Sequence, residues 1–170
     1  MTQNKHQKVP AKVSLLILFV LTVLLQTACG PDYFFQESKA ISGGQWAYRD
    51  TLDFRFTVTD TLETYNLYLD FEHADTFSTQ NLYVKLHTQF PDGKRLSKQK
   101  SFDLFDDQGK PHGKCSGGTC KLRTLLQEQA FFNRPGTYVI TLEQYTRMNP
   151  LPGLHAAGLT IEATGIKRKD

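Results

Sequence analysis

A period of two in the placement of apolar residues is what most narrows the folds open to this chain. In Leu52-Asp53-Phe54-Arg55-Phe56-Thr57-Val58-Thr59 every second side chain is apolar and the ones between are mostly polar. The pattern returns at Tyr65, Leu67, Leu69 and Phe71, at Leu82, Val84 and Leu86, at Tyr138, Ile140 and Leu142, and at Leu159, Ile161 and Ala163. Successive side chains of a strand point to opposite faces, so each segment offers one face to a core and one to water. Turn signals separate the segments: Pro91-Asp92-Gly93-Lys94, Asp106-Asp107-Gln108-Gly109, Pro135-Gly136 and Pro150-Leu151-Pro152-Gly153. The expected fold is all-β, a single antiparallel β-sandwich of about seven or eight strands. One stretch departs from the period. Leu122, Leu125, Leu126 and Gln129 are spaced like one face of a short helix, and Ala130-Phe131-Phe132 beyond them reads as extended.

Ahead of this domain stands a different kind of segment. Lys5, Lys8 and Lys12 precede an aliphatic run over residues 13–25, and Gln26-Thr27-Ala28 leads to Cys29. The run is shorter than the roughly 20 residues of a membrane-crossing helix, and its flanks are those of an exported protein's leader. With small residues before a cysteine, the layout is that of a bacterial lipoprotein signal, cut ahead of Cys29, whose thiol then carries diacylglycerol. Gln26 stands where such signals usually have leucine, and a plain secretory signal cut near Ala28 is the alternative. The expected organisation is therefore a signal peptide over 1–28, a lipid anchor and tether over 29–45, a sandwich over 46–166 and a basic tail over 167–170. Tyr33-Phe34-Phe35 is aromatic enough to add to a sheet.

Removal of the leader changes the charge. Of 20 basic and 17 acidic residues, three lysines and no acid lie in residues 1–28, which leaves the mature chain balanced. A neutral body has no field for phosphate backbones, so nucleic acid is excluded as a partner. Neutrality also leaves anchoring to the acyl chains on Cys29, each buried CH₂ contributing about 0.8 kcal/mol. Cys115 and Cys120 remain as a pair around Ser116-Gly117-Gly118-Thr119. In an oxidising compartment, a Gly-Gly turn can bring them to bridging distance. Free thiols are one alternative; another is a metal or redox site, for which His112 would have to serve as a third zinc ligand and a fourth is not apparent.

Catalytic constellations are missing from the sequence. Lys114 stands where a nucleophile elbow beginning at Cys115-Ser116-Gly117-Gly118 would need its first glycine. Gly93-Lys94 belongs to a hairpin turn, not to a phosphate loop. His73, His87, His112 and His155 lack the spacing of a helical zinc site, so neither metal nor cofactor is expected. Trp46, Tyr48, Tyr68 and Tyr83 fall on or near polar faces, and Trp46, Tyr68 and Tyr83 among them form a candidate aromatic surface, for a sugar or a protein; packing under loops or across strands is the plainer reading. Tyrosines and a tryptophan stacked on one sheet face would favour sugar, and a flat polar face with a paired aromatic edge would favour protein. Glu143, Gln144 and Arg147 lie beside a proline-braced loop, which makes them candidate partner-docking residues. The plainer alternative there is a Glu143–Arg147 ion pair that merely holds the loop.

Taken in order, Cys29, Trp46, the segment Phe54-Arg55-Phe56-Thr57-Val58-Thr59-Asp60-Thr61, Tyr65-Asn66-Leu67-Tyr68-Leu69, His73, Asn81-Leu82-Tyr83 and Phe90-Pro91-Asp92-Gly93 resemble the GldH family of gliding-motility lipoproteins. Pro135-Gly136-Thr137-Tyr138, Leu142-Glu143-Gln144, Arg147-Met148, Leu151-Pro152-Gly153-Leu154 and Gly158-Leu159-Thr160-Ile161-Glu162 extend the likeness over nearly the whole mature chain. The two departures are the cysteines Cys115 and Cys120 in the family's glycine-rich loop, and Tyr145-Thr146 before Arg147-Met148. The resemblance implies a non-catalytic accessory protein of the gliding machinery and its type IX secretion apparatus, whose partners are other envelope proteins. A lipid-anchored carbohydrate-binding module is the alternative. Gly30 follows Cys29 in place of a retention aspartate, and no dense acidic run follows, so the periplasmic face of the outer membrane is the expected location. If Cys29 carries the lipid, Cys29→Ser leaves an uncleaved precursor or a soluble protein, and radiolabelled fatty acid stays off the mutant; equal labelling of both forms would end the lipoprotein reading.

Overall fold

The alternation read from the sequence becomes the inner surface of two facing sheets. The computed structural model describes residues 33–169, so the leader and Cys29 lie outside the described residues. Eleven strands occur among the described residues: β1 Tyr33–Ala40, β2 Gln45–Trp46, β3 Leu52–Val58, β4 Glu63–Ala74, β5 Asn81–Gln89, β6 Arg95–Asp103, β7 Lys114–Ser116, β8 Thr119–Ala130, β9 Gly136–Gln144, β10 Leu151–Pro152 and β11 Leu154–Lys167. One sheet runs β1-β11-β4-β8-β7, the other β3-β9-β5-β6, and β10 pairs with β2 as a short ribbon. Every pairing is antiparallel.

In β3 burial alternates residue by residue, with Leu52, Phe54, Phe56 and Val58 inside. Opposite them β4 buries Tyr65, Leu67, Leu69 and Phe71. Leu82 and Val84 of β5, Ile140 and Leu142 of β9, and Leu159 and Ile161 of β11 complete the same layer. An aromatic group closes one end of it: Phe34 packs on Tyr65 at 4.9 Å between ring centroids, Tyr65 on Phe132 at 5.5 Å, and Phe132 on Tyr138 at 4.8 Å. Truncating a fully buried leucine such as Leu69 to alanine removes this packing at a cost of about 2–5 kcal/mol.

The structure corrects three expectations. Residues 122–129 are not helical; they belong to the twelve-residue strand β8. Leu122 and Leu126 are half-buried on the inner side while Lys121, Arg123 and Leu125 stand outside. A short apolar run fits both periods, and here β4 of equal length decides, since it pairs β8 from Ala74↔Thr119 to Tyr65↔Ala130. A register shift between Leu67 and Tyr68, with Gln129 at φ 48°, accounts for the irregular spacing. Second, most of the expected tether is folded: β1 pairs with β11 from Tyr33↔Glu162 to Ala40↔Ala156. Third, the basic end is held: Lys167 pairs with Asp60 and, at 3.0 Å, with Glu63, and the Arg168 amide donates to Leu62 O at 2.7 Å.

The turns follow their signals. Phe90 and Lys94 close the β5–β6 hairpin through Phe90 N to Lys94 O at 2.8 Å, with Gly93 at φ 82° where a side chain would be strained. Gly136 opens β9 against Pro91, where a Cβ would lie 2.8 Å from the proline ring. Strand β6 ends its sheet and is exposed at every residue but Phe102. Lys98 and Lys100 lie opposite the inward Leu86 and Val84, so they point inward from this edge, and Lys100 Nζ donates to Leu126 O of β8 at 2.9 Å. Inward charges on an edge strand discourage pairing with another molecule's edge. The structure joins Cys115 and Cys120, register partners across the β7–β8 turn, as a disulfide.

Beside that bridge sits His73, register partner of Cys120 and fully buried between Phe77 and Phe105. Its Nδ1 lies 2.8 Å from Ala74 O, the distance of a donated hydrogen bond, and its Nε2 has no partner among the described residues. Burial holds its pKa below the usual histidine value, outweighing the carbonyl contact. The native state therefore binds this proton less readily than the unfolded chain, and stability is complete above the unfolded pKa of about 6.5 and lost as pH falls toward the folded value. Urea unfolding between pH 7.5 and 5 should show that loss, with a slope of at most about 1.4 kcal/mol per pH unit from this group, and a shallower slope in His73→Gln.

Candidate functional site

Most of the exposed apolar side chains gather at the two ends of the sandwich, with Leu96 of β6 and Leu125 of β8 exposed along their strands. At the end where β3 starts and β9 stops, the chain leaves Gln144, turns through residues 145–150 and re-enters as β10. Gln144 is fully buried, and its amide braces the turn from inside. Its Nε2 donates to Met148 O at 3.0 Å, and its Oε1 accepts from Thr146 N at 2.9 Å and Thr146 Oγ1 at 2.7 Å. From outside, Tyr48 Oη donates to Thr146 O at 2.6 Å and Tyr48 N donates to Asn149 Oδ1 at 3.0 Å. Below them the β2–β10 ribbon sets Leu151 opposite Trp46, whose indole N–H donates to Asp50 O at 2.6 Å.

The braced turn presents a compact set of side chains. Tyr145 N donates to Tyr83 O at 2.8 Å, continuing the β5–β9 ladder, so the two tyrosines form a rung at the end of the outer face. Lys85 Nζ lies 5.7 Å from the Tyr145 ring. Tyr48, Tyr83, Tyr145 and Met148 are 42–50 % exposed, and Arg147 is exposed among them with no ion pair among the described residues. Tyrosine, methionine and arginine are the residue types enriched where proteins bind one another.

Several sequence candidates are placed elsewhere. Trp46 is not on the surface; it is fully buried, because the ribbon folds it under the turn. Gln144 is a buried brace and not a contact residue. Glu143 does not pair with Arg147: its Oε2 lies 2.9 Å from His87 Nε2, and His87 Nδ1 lies 2.7 Å from Ser97 Oγ. Ser97, His87 and Glu143 thus have the sequence of a nucleophile relay; on β6, β5 and β9 they tie three strands together, with the His87 side chain buried between its two partners. Tyr83 is where it was expected, at the exposed rung.

Tyr68 is half-buried on the outer face of the other sheet, where it serves Arg123. The guanidinium donates to both oxygens of Asp70, Nε to Oδ1 at 2.6 Å and Nη2 to Oδ2 at 3.3 Å. It lies 5.5 Å from the Tyr33 ring centroid and 5.7 Å from that of Tyr68. Hydrogen bonds donated to Asp70 raise the arginine pKa above its ordinary value, so this charge is permanent. The two tyrosine faces that a sugar ring would need are already occupied by arginine.

A sequence signal for the corner existed in part. Tyr48 and Tyr83 were visible as aromatics on or near polar faces and Arg147 as a neighbour of the proline-braced loop; Tyr145 and Met148 lie in a loop with no period, and only the ribbon and the Gln144 brace bring all five to one place. The family described as GldH lipoprotein matches residues 33–161. A gliding motility lipoprotein GldH homolog of Christiangramia forsetii is 22% identical over 152 residues, covering 85% of this chain and 93% of its own. Among solved structures, the infectious bursal disease virus Gx strain matches 79% of this chain at 12% identity, with a TM-score of 0.32; the match spans 30% of that viral chain. Replacing Gln144 by leucine leaves the Thr146 amide without its acceptor and the Met148 carbonyl with Thr146 Oγ1 alone; we expect about 1–3 kcal/mol less stability in urea and faster hydrogen exchange at Thr146.

Proposed function

The chain belongs to the GldH lipoprotein family, and from that we propose that it is a non-catalytic accessory protein of the gliding machinery and its associated type IX secretion apparatus. It works through protein–protein contacts, held by lipid on Cys29 at the periplasmic face of the outer membrane. The observation that carries the reading is the corner of Tyr48, Tyr83, Tyr145, Arg147 and Met148, ordered by a buried amide, with all five side chains exposed and Arg147 in no ion pair among the described residues. A loop braced at this cost in conformational freedom is pre-organised for a partner, which lowers the entropy lost on binding.

Position supports it as well. Strand β1 runs from Tyr33 at one end of the sandwich to Ala40, beside the Trp46 ribbon, at the other. Eight residues of strand span roughly 26 Å, so the corner stands away from the end at which the anchor segment joins the domain. The carbohydrate-binding alternative is disfavoured by the same geometry, since Trp46 is buried and Tyr33 and Tyr68 flank Arg123.

Complementation of a strain lacking its GldH lipoprotein tests the corner. Tyr145→Ala, Arg147→Ala and Met148→Ala combined should abolish colony spreading and secretion while the thermal midpoint moves by only a few degrees, as expected of surface positions. Undiminished spreading would remove the corner as the docking site.

A further inference from the structure

The opposite end of the sandwich carries a second exposed group of a different chemistry. Leu62, Phe131 and Ile166 are 40 %, 48 % and 53 % exposed, although each comes from a separate segment: the β3–β4 loop, the residue after β8, and the end of β11. Hydrogen bonds and stacking make them neighbours. Arg168 N donates to Leu62 O at 2.7 Å, Thr64 Oγ1 donates to Ile166 O at 2.8 Å, and the Arg168 guanidinium lies 4.9 Å from the Phe131 ring centroid, with its Nη1 on Asn133 Oδ1 at 3.1 Å. Lys167 bridges the two carboxylates of Asp60 and Glu63 at this end. Arg168 and Lys169 have no carboxylate partner among the described residues. The result is three apolar tips with Arg168 and Lys169 beside them, on a mature chain whose basic and acidic residues balance.

Chain length says what lies against this end. Tyr33 pairs with Glu162, and β11 continues from there to Ile166 and Lys167. The chain therefore enters the sandwich at the patch. Cys29 precedes Tyr33 by four residues, a reach of roughly 14 Å when fully extended, whatever its conformation. With Cys29 acylated, the Leu62–Phe131–Ile166 end cannot stand far from the bilayer surface, while the docking corner is a strand's length away.

We propose that this end is a membrane-contact face: Leu62, Phe131 and Ile166 enter the boundary between headgroups and acyl chains, and Arg168 and Lys169 meet lipid phosphates. Apolar tips flanked by basic residues are the composition of proteins that lie on a membrane, and a cation near an anionic surface adds attraction that salt weakens. The lipid restricts the domain to the surface, and this face sets which way up it stands. The inference rests on the anchor at Cys29, so acylation is established first by intact mass of the mature protein; a mature protein without acyl groups overturns the assignment with its premise.

The acylated protein is then placed in phosphatidylethanolamine–phosphatidylglycerol vesicles containing acyl-brominated lipid, with one added tryptophan reporter. The buried Trp46 contributes the same background to every variant. Phe131→Trp should be quenched at least about threefold more than Tyr145→Trp at the far end. Adding Leu62→Asp and Ile166→Asp to the Phe131→Trp protein should abolish most of that difference, and Arg168→Glu with Lys169→Glu should reduce it in low salt. Equal quenching of both reporters would mean that the domain tumbles on its tether, and insensitivity to Leu62→Asp with Ile166→Asp would mean that the patch is not in contact; either overturns the assignment. So does absence of quenching with cross-links between two copies at Phe131, which would make the face a self-interface. Arg147→Ala with Met148→Ala in the docking corner should leave the Phe131→Trp quenching unchanged, so the two surfaces fail separately.

Discussion

A strand turns alternate side chains to opposite faces, and the whole molecule rests on the two sheets burying one face each against the other. Leu69, Leu142 and Leu159 are fully buried in that layer, and none would be so without the facing sheet. Because β4, β8 and β11 run the length of the domain, their connections collect at two ends. Chemistry that is not core is thereby sorted into four places: two outer faces and two ends.

The outer faces are largely self-satisfied. Arg123 closes one of them through Asp70, Thr160 and two tyrosine rings. On the other, Ser97, His87 and Glu143 tie three strands together, and Thr141 donates to Asp53 at 2.6 Å. Charged hydrogen bonds of this kind are stronger than neutral ones and leave few donors free for a ligand. The β6 edge is guarded by lysines that point inward. What remains unused is at the ends, and the two ends differ: tyrosines, a methionine and an arginine over a buried amide at one, aliphatic tips and C-terminal cations at the other. The membrane contact and the partner contact proposed above would use that polarity, one at each end.

The buried polar groups mark where the fold is held to a single arrangement. Gln144 spends its whole amide on the 144–148 turn, and Trp46 its indole N–H on Asp50. An unmet buried polar group costs more than a met one contributes, so such contacts exclude alternative loop conformations more than they add stability. His73 is the exception, with one nitrogen unpartnered in the core beside the disulfide; we have no physical account of why it is retained.

The pleat of β3, β4, β5, β9 and β11, the hairpin at Pro91-Asp92-Gly93-Lys94 and the likeness to the GldH family were legible in the sequence because each depends on neighbours within a few residues. Residues 122–129 were not, because their spacing satisfies both a helix and a strand, and only β4 beside them removes the ambiguity. Trp46 and Gln144 looked like surface residues for a related reason: each sits near a loop with no period, and burial there comes from a ribbon formed by segments more than a hundred residues apart. The same holds for Leu62, Phe131 and Ile166, which are scattered in the chain and adjacent in space. By itself the sequence determined the period and the turns, which are local properties of the backbone and of residue type. Which residues share an end of the sandwich was decided by strand pairing, since only long-range registry brings remote loops together.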